Sequence, residues 1–156
     1  MSDRTDQADK SMTSLMLALL ASYAGPLHPG LENLLKGGLF QREDSHFLSG
    51  LHPSEGKQLP LEAQKNIPFK SRLEYLANEV IIAEHIGKVA LLGILVQGLV
   101  FTHELKTMLA PLGVFSICLS WDFREHATVT FYKVRDGESW AKPETAAGLT
   151  TLEIRT

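Results

Sequence analysis

Two runs of alternating residues, separated by a short charged segment, constrain the fold of this chain more than any other feature. The stretch VFSICLSWDFREHATVTFYKV covers residues 114–134. Alternation of large apolar with small or hydroxylated residues is typical of a strand with one face on a core. Two such runs joined by a short polar connection predict an antiparallel hairpin. The chain must therefore build part of its core on a β-sheet.

The tip of this hairpin is the strongest candidate surface in the sequence. Aromatic residues ringed by charges are typical of sites that bind other proteins. Trp121 lies at the tip, and Trp140 follows the turn-like segment RDGES. The alternative is that both indole rings close the rim of the core. The candidate partner-binding residues are Trp121, Asp122, Phe123, Arg124, His126 and Trp140.

The N-terminal part of the chain is helical by its periodicity. Residues 11–23 carry apolar side chains at helical spacing before Gly25 and Pro26, and residues 29–38 (PGLENLLKGG) predict a second, short helix. Residues 71–87 predict a third helix, in which Ser71 and Glu74 have the spacing of a capping box. This helix has two apolar faces, one of them formed by Tyr75, Ile82 and Ile86.

Two segments show no clear period. Residues 1–10 are polar and are predicted to be a flexible N-terminus. Residues 39–68 contain scattered charges, prolines and glycines, which predicts a long irregular segment in which short strands could form.

The remaining elements complete the predicted sheet. Residues 89–101 are almost continuously apolar and rich in β-branched side chains, which predicts a strand buried on both faces. A helix follows to about residue 112, with Thr102 as its cap, and LTTLEIRT (149–156) predicts the last strand. The expected fold is a single α+β domain over residues 11–156. It has N-terminal helices followed by a mixed or antiparallel sheet of about four strands with one inserted helix.

Composition excludes several functions. The net charge is −3 and no basic stripe is present, so nucleic acid and membrane surfaces are poor ligands. The phosphate-loop and dinucleotide-binding glycine patterns are missing, and one cysteine excludes zinc sites built on cysteine pairs. We therefore expect no cofactor and no metal. No secretory signal opens the chain and its longest apolar run is too short to span a bilayer, so a cytoplasmic location is expected.

Two weaker patterns are compatible with acid–base catalysis and with metal binding. Glu84 falls on the apolar stripe of the predicted helix 71–87, where burial would raise its pKa toward a value useful for proton transfer. With His85 or another histidine it would form an acid–base pair; the alternative is an exposed Glu84 paired with Lys88. Asp44, His46 and His52 could gather a metal, although their spacing matches no known pattern.

Three hypotheses about function follow. The first is a small protein-binding module of the adaptor, chaperone or toxin-neutralising (immunity) type, which acts through the 121–126 tip and whose partner is another protein, preferably a basic one. The second is a small enzyme that uses Glu84 and a histidine. The third is a homo-oligomer joined through Tyr75, Ile82 and Ile86.

Overall fold

The computed structural model describes residues 25–51, 69–122, 126–138 and 150–156. Its helices are α1 (Pro29–Lys36), α2 (Lys70–Ala77), α3 (Ile82–Ile86) and α4 (Leu91–Leu109). Its strands are β1 (Leu39–Arg42), β2 (Ser45–Leu48), β3 (Val80–Ile81), β4 (Phe115–Trp121), β5 (Ala127–Lys133) and β6 (Thr150–Arg155). Short 3-10 turns follow β2 and α4, at Ser49–Leu51 and Ala110–Leu112. The predicted helix at 11–23, the segment 1–10 and residues 52–68 lie outside the described residues.

The α+β fold class predicted from the sequence is confirmed. Four strands form an antiparallel sheet in the order β3-β5-β4-β6, and β1 and β2 form a separate antiparallel pair. The predicted hairpin is present, with Trp121 opposite Ala127 at its tip and Phe115 opposite Lys133 at its other end. The last predicted strand is β6, which pairs with β4.

The prediction of a buried strand at 89–101 is wrong. Residues 91–101 belong to α4, which continues without a break to Leu109, and residues 89 and 90 precede the helix. The buried side of α4 carries Ile94, Gly98, Phe101 and Leu105, a helical spacing that becomes visible only when the segment is not divided at Thr102. Thr102 does not cap a helix: its hydroxyl donates to the carbonyl of Gly98 at 2.8 Å, inside α4.

A glycine allows α4 to lie close to the sheet. A Cβ atom at Gly98 would stand 3.1 Å from Cδ1 of Leu119 and 3.7 Å from Cγ1 of Ile82. The main core lies at this interface, and it includes Phe101, Phe115 and Phe131, each 0% exposed. None of the described helices combines the length and the apolar character that crossing a membrane requires.

The prediction of a single helix at 71–87 is also wrong, because this segment contains α2, β3 and α3. The break follows Asn78, whose side chain binds the backbone of β2, and Val80 then pairs with Val129 of β5. Tertiary hydrogen bonds thus replace those of a continuous helix. Residues 39–48, predicted to be mostly irregular, form the β1–β2 hairpin.

The other face of the four-stranded sheet is covered as well. Every residue of β4 from Phe115 to Ser120 is buried, so the strand has an interior on both sides. On the second face, Cys118 packs with Tyr75 of α2 and Tyr132 of β5. Cys118 is therefore a small buried side chain of this second face.

Candidate functional site

Asp122 and His126 are hydrogen-bonded to each other at the hairpin tip, next to the aromatic residue Trp121. The N–H of Asp122 donates to the carbonyl of His126 at 3.1 Å, and the N–H of His126 donates back to Oδ1 of Asp122 at 3.2 Å. The His126 ring also approaches the Asp122 carboxylate, with Nδ1 and Oδ2 3.4 Å apart. Trp121 is half-buried and packs against the main core. Phe123, Arg124 and Trp140 lie outside the described residues.

The N-terminus of α4 lies at the same end of the sheet as this tip. The chain reverses between the end of α4 at Leu109 and the start of β4 at Phe115. Because Gly98 in the middle of α4 packs over Leu119 near the end of β4, the helix runs antiparallel to the strand. The first turn of α4 is therefore close to the tip, and the two form one end of the molecule, called here the tip end.

Apolar side chains are exposed at the tip end. Leu92, in the first turn of α4, is 74% exposed, and Val89 is 42% exposed. Beside them is an open groove of about 570 Å³. Its lining residues are Ala83, Gly87, Lys88, Val89, Ala90 and Ile94. Lys88 is the charged residue among them, so the surface is apolar with a positive charge at its border.

Of the two alternatives for Glu84, burial on an apolar stripe or exposure near the end of a helix, the structure shows exposure. The short helix α3 ends at Ile86, and Glu84 on it is exposed, while His85 is half-buried. Neither residue lines the groove described above. His85 has a packing role instead: its carbonyl oxygen would lie 1.9 Å from a Cβ at Gly30, so the glycine lets α1 lie directly against α3. Within the part of the chain that the structure describes, this groove therefore does not offer the pair a pocket for an acid–base mechanism.

The surface proposed for a homo-oligomer is not available either. Tyr75 is 6% exposed, Ile82 0% and Ile86 7%, because they pack inside the chain. The helical wheel that grouped them assumed one continuous helix, and the break at Asn78 turns them toward different parts of the core.

A buried charged cluster lies at the opposite end of the sheet, and the sequence did not single it out as a site. Its centre is Glu74 of α2, which is 0% exposed. One carboxylate oxygen accepts the N–H of His46 at 2.8 Å, and the other accepts the N–H of Lys133 at 3.2 Å and a bond from the Arg135 guanidinium. The carboxylate thus has a cation and two backbone donors.

Arg135 connects Glu74 to the surface. Its guanidinium also donates to the Asp44 carbonyl at 2.6 Å, to the Asp44 carboxylate at 3.3 Å and to the Ser71 hydroxyl at 3.0 Å. The Lys133 ammonium binds the same Asp44 carboxylate at 3.0 Å. These two cations hold the pKa of Asp44 below its ordinary value.

Burial shifts the proton equilibria at the centre of this cluster. It raises the pKa of Glu74, although the bonds from Arg135 and His46 oppose the shift. It lowers the pKa of His46, and the positive charge of Lys133 lowers it further. The His46 ring lies edge-on to Phe115, with its Nδ1 3.9 Å from Glu74 Oε2.

The sequence does contain a signal for this cluster, which is the spacing of Ser71 and Glu74 and which predicted a helix cap instead. Ser71 and Glu74 have capping-box spacing, but α2 begins at Lys70 after Phe69, which makes no side-chain cap. The Ser71 hydroxyl instead donates to the Lys133 carbonyl at 2.7 Å. Two polar residues at this spacing share one helix face, and here that face is turned toward β5.

The cluster stabilises the fold and does not resemble a catalytic or metal centre. Both carboxylate oxygens of Glu74 accept hydrogen bonds from donors of the protein itself. Within the described residues, no three histidine, cysteine or acidic side chains are arranged to hold a metal ion. Asp44 and His46 belong to the cluster, and His52 lies outside the described residues.

Comparisons with known proteins give a family. No curated protein and no solved structure matches the chain. The family model of the "Uncharacterized protein PM0498 family" matches residues 7–147, which include both the tip and the buried cluster. The chain therefore belongs to the Uncharacterized protein PM0498 family.

Proposed function

We propose that this protein is a small binding module for another protein and that its contact surface is the tip end. The observation that carries the proposal is the exposure of Leu92, 74%, beside the groove and the half-buried Trp121. Exposure of a leucine side chain in the first helical turn does not stabilise the helix or the core. Exposed apolar groups around a partly buried aromatic residue are typical of the centre of a protein interface.

The proposal covers modules of the adaptor, chaperone or toxin-neutralising type, which need a shaped surface and no catalytic group. The net charge of −3 favours a basic partner, although Lys88 places one positive charge at the border of the groove. We also propose a cytoplasmic location, because the lone Cys118 is buried and the chain depends on no internal disulfide.

The test begins with capture of partners from the native cell by the wild-type chain, followed by identification by mass spectrometry and titration of each captured protein. Leu92→Asp is expected to weaken binding of the partner by about tenfold or more, because it places a charge in an apolar interface. The change should not unfold the chain, since an acidic residue in the first turn of a helix is favourable.

The structure offers a matched control for this substitution. Leu112 is 45% exposed and lies at the other end of α4, away from the tip. Leu112→Asp therefore adds the same charge to an exposed leucine outside the proposed interface and should leave binding unchanged. Equal binding by wild type, Leu92→Asp and Trp121→Ala, with all three folded, would exclude the tip end as the contact surface.

A further inference from the structure

The groove at the tip end combines an apolar lining with one exposed cation. Ile94 and Val89 both line it; Ile94 is 2% exposed and Val89 is 42% exposed. A Cβ atom at Gly93 would stand 2.5 Å from Cγ1 of Val89, so the glycine leaves room for Val89 against the first turn of α4. The lining is therefore suited to covering apolar side chains of a partner.

Lys88 is the cation of this groove, and it is exposed. The sequence suggested that it pairs with an exposed Glu84, four residues earlier. α3 ends at Ile86, and Gly87 leaves the helical conformation with a φ of 75°. The continuous helix that brings residues i and i+4 together is thus lost. Lys88 makes no ion pair with an acidic side chain anywhere in the described ranges, so its ammonium is available to an acidic group of a partner.

The start of α4 adds to the positive charge beside the groove. Ala90 precedes the helix without a side-chain cap, and the first turn contains no acidic residue. The N–H of Ile94 donates to the carbonyl of Ala90 at 3.1 Å as the first hydrogen bond of the helix. The N–H groups before Ile94 therefore have no acceptor inside α4. A helix N-terminus of this kind carries a partial positive charge.

This local charge is opposite in sign to the net charge of the chain, which is −3. Charges separated by more than about 8 Å are largely screened at physiological ionic strength. The carboxylate of Asp122 at the tip lies against the His126 ring, with Oδ2 and Nδ1 3.4 Å apart. Lys88 and the start of α4 therefore decide which charge is favourable in the groove.

From these observations we infer that the partner enters the groove with an apolar segment that carries an Asp or Glu side chain. The inference rests on the function proposed above and names the chemistry of the partner. Apolar side chains of the segment lie on Val89 and Ile94, and its carboxylate binds the Lys88 ammonium. Because the groove is open at the surface, the partner chain can continue past it in both directions.

Selection from a phage-displayed library of short random peptides on the intact chain tests the inference before any partner is known. We expect the selected peptides to combine an acidic residue with a large apolar residue. Peptides that are basic or lack an acidic residue would overturn the inference, and so would a selection that enriches nothing.

A charge reversal at the groove tests the role of Lys88. Lys88→Glu should weaken binding of a selected peptide by about fivefold or more, because it replaces an attraction by a repulsion. The variant should remain folded, since an acidic residue near the start of a helix is favourable. Arg72→Glu makes the same charge change on an exposed residue of α2 and should leave binding unchanged. Fluorescence polarisation measures the affinities, and a thermal transition checks the fold of each variant.

A charge swap separates the ion pair from a general effect of the substitution. A peptide in which Lys replaces the acidic residue should bind Lys88→Glu more tightly than it binds the wild type. If both peptides prefer the wild type, the acidic side chain does not contact Lys88 and the inference is wrong.

The natural partner distinguishes a failure of this inference from a failure of the proposed function. Weaker binding of the partner by Leu92→Asp with unchanged binding by Lys88→Glu would leave the tip end as the contact surface and exclude an acidic segment. Unchanged binding by both folded variants would exclude the tip end, and the inference with it. Weaker binding by both, with Arg72→Glu unchanged, is the expected result.

Discussion

At the scale of single residues, the cluster around Glu74 illustrates how a buried charge becomes a structural element. Burying a carboxylate away from solvent costs free energy unless its oxygens accept hydrogen bonds from protein donors. Here the donors come from three parts of the chain: His46 of β2, Lys133 of β5 and Arg135 beyond β5. The bonds therefore fix these segments relative to one another as well as stabilising the carboxylate.

Removing the positive charge of Arg135 should lower the stability of the fold. Arg135→Met leaves the fully buried Glu74 without its counter-charge, and we expect the free energy of unfolding to fall by about 3–5 kcal/mol. Urea denaturation measures the change. Adding Glu74→Gln to Arg135→Met should recover part of the loss, because a neutral amide needs no cation.

Arg72→Met is the matched control for this prediction. Arg72 lies on the exposed side of α2, and its replacement should change the stability by no more than about 0.5 kcal/mol. A cost for Arg135→Met as small as that of the control would show that the guanidinium does not support Glu74.

His46 should make stability depend on pH. Burial lowers its pKa below the ordinary value of 6.5, and the charges of Lys133 and Arg135 act in the same direction while Asp44 opposes them. As the pH falls, His46 therefore takes up a proton at a higher pH in the unfolded chain than in the native state. Neutral His46 therefore contributes fully to the free energy of unfolding above pH 6.5, and this contribution is lost as the pH falls through the pKa of His46 in the native state.

The measurement compares wild type with His46→Gln by urea denaturation between about pH 8 and about pH 5. The stability of the wild type should fall more steeply with decreasing pH, because glutamine does not titrate. The variant keeps the backbone N–H that donates to Glu74, so that bond does not differ between the two proteins. Parallel pH profiles would contradict a lowered pKa for His46.

At the scale of elements, the β1–β2 hairpin is attached to the rest of the molecule by side chains that bind its backbone. Asn78 accepts the N–H of Leu48 at 3.0 Å and donates to the His46 carbonyl at 2.9 Å. It also donates to the Phe131 carbonyl at 3.4 Å. A two-stranded hairpin is marginally stable alone, so these bonds hold it in place.

Asn78→Ala tests this attachment. The change leaves buried backbone groups of β2 without partners, at a cost of about 1–3 kcal/mol for each unsatisfied group. Amide hydrogen exchange should accelerate at Leu48 and along β1–β2 more than in β4 and β5. Glu79→Ala, at the exposed next position, should leave the exchange pattern unchanged. Uniform acceleration across both sheets would mean that Asn78 supports the whole domain and not the hairpin.

The elements also show where prediction from sequence succeeded. The β4–β5 hairpin, β6 and α1 were predicted because each has its own local pattern: alternation, or a proline-to-glycine helical stretch. α4 was predicted to be a strand followed by a helix. A segment covered on most sides is apolar over nearly its whole surface, and the period that distinguishes a helix from a strand is then weak.

At the scale of the whole molecule, the tip end and the buried cluster around Glu74 lie at opposite ends of the sheet. Trp121 pairs with Ala127 at the tip, and Phe115 pairs with Lys133 at the other end. The residues that stabilise the fold around Glu74 are therefore separate from the proposed contact surface.

The candidate surface was predicted in part. The sequence identified Trp121, Asp122 and His126 at the tip, because a hairpin turn brings together residues that are neighbours in the chain. It did not identify Leu92 or the groove beside α3, because these reach the tip end only through the antiparallel packing of α4 on β4. The sequence left burial and exposure of Glu84 open, and the tertiary structure decides for exposure on the short helix α3.

The sequence by itself determined the α+β class, the central hairpin and the absence of the common cofactor motifs, because these depend on local periodicity and composition. Only the tertiary structure decided that α4 is one helix, that residues 70–86 are interrupted by β3, and that Glu74 lies in a charged cluster. The period of α4 is weak in the sequence because the segment is apolar on most sides. The interruption by β3 and the charged cluster arise from bonds between residues far apart in the chain: Glu74 and Arg135 are 61 residues apart, and no pattern within either segment contains the other.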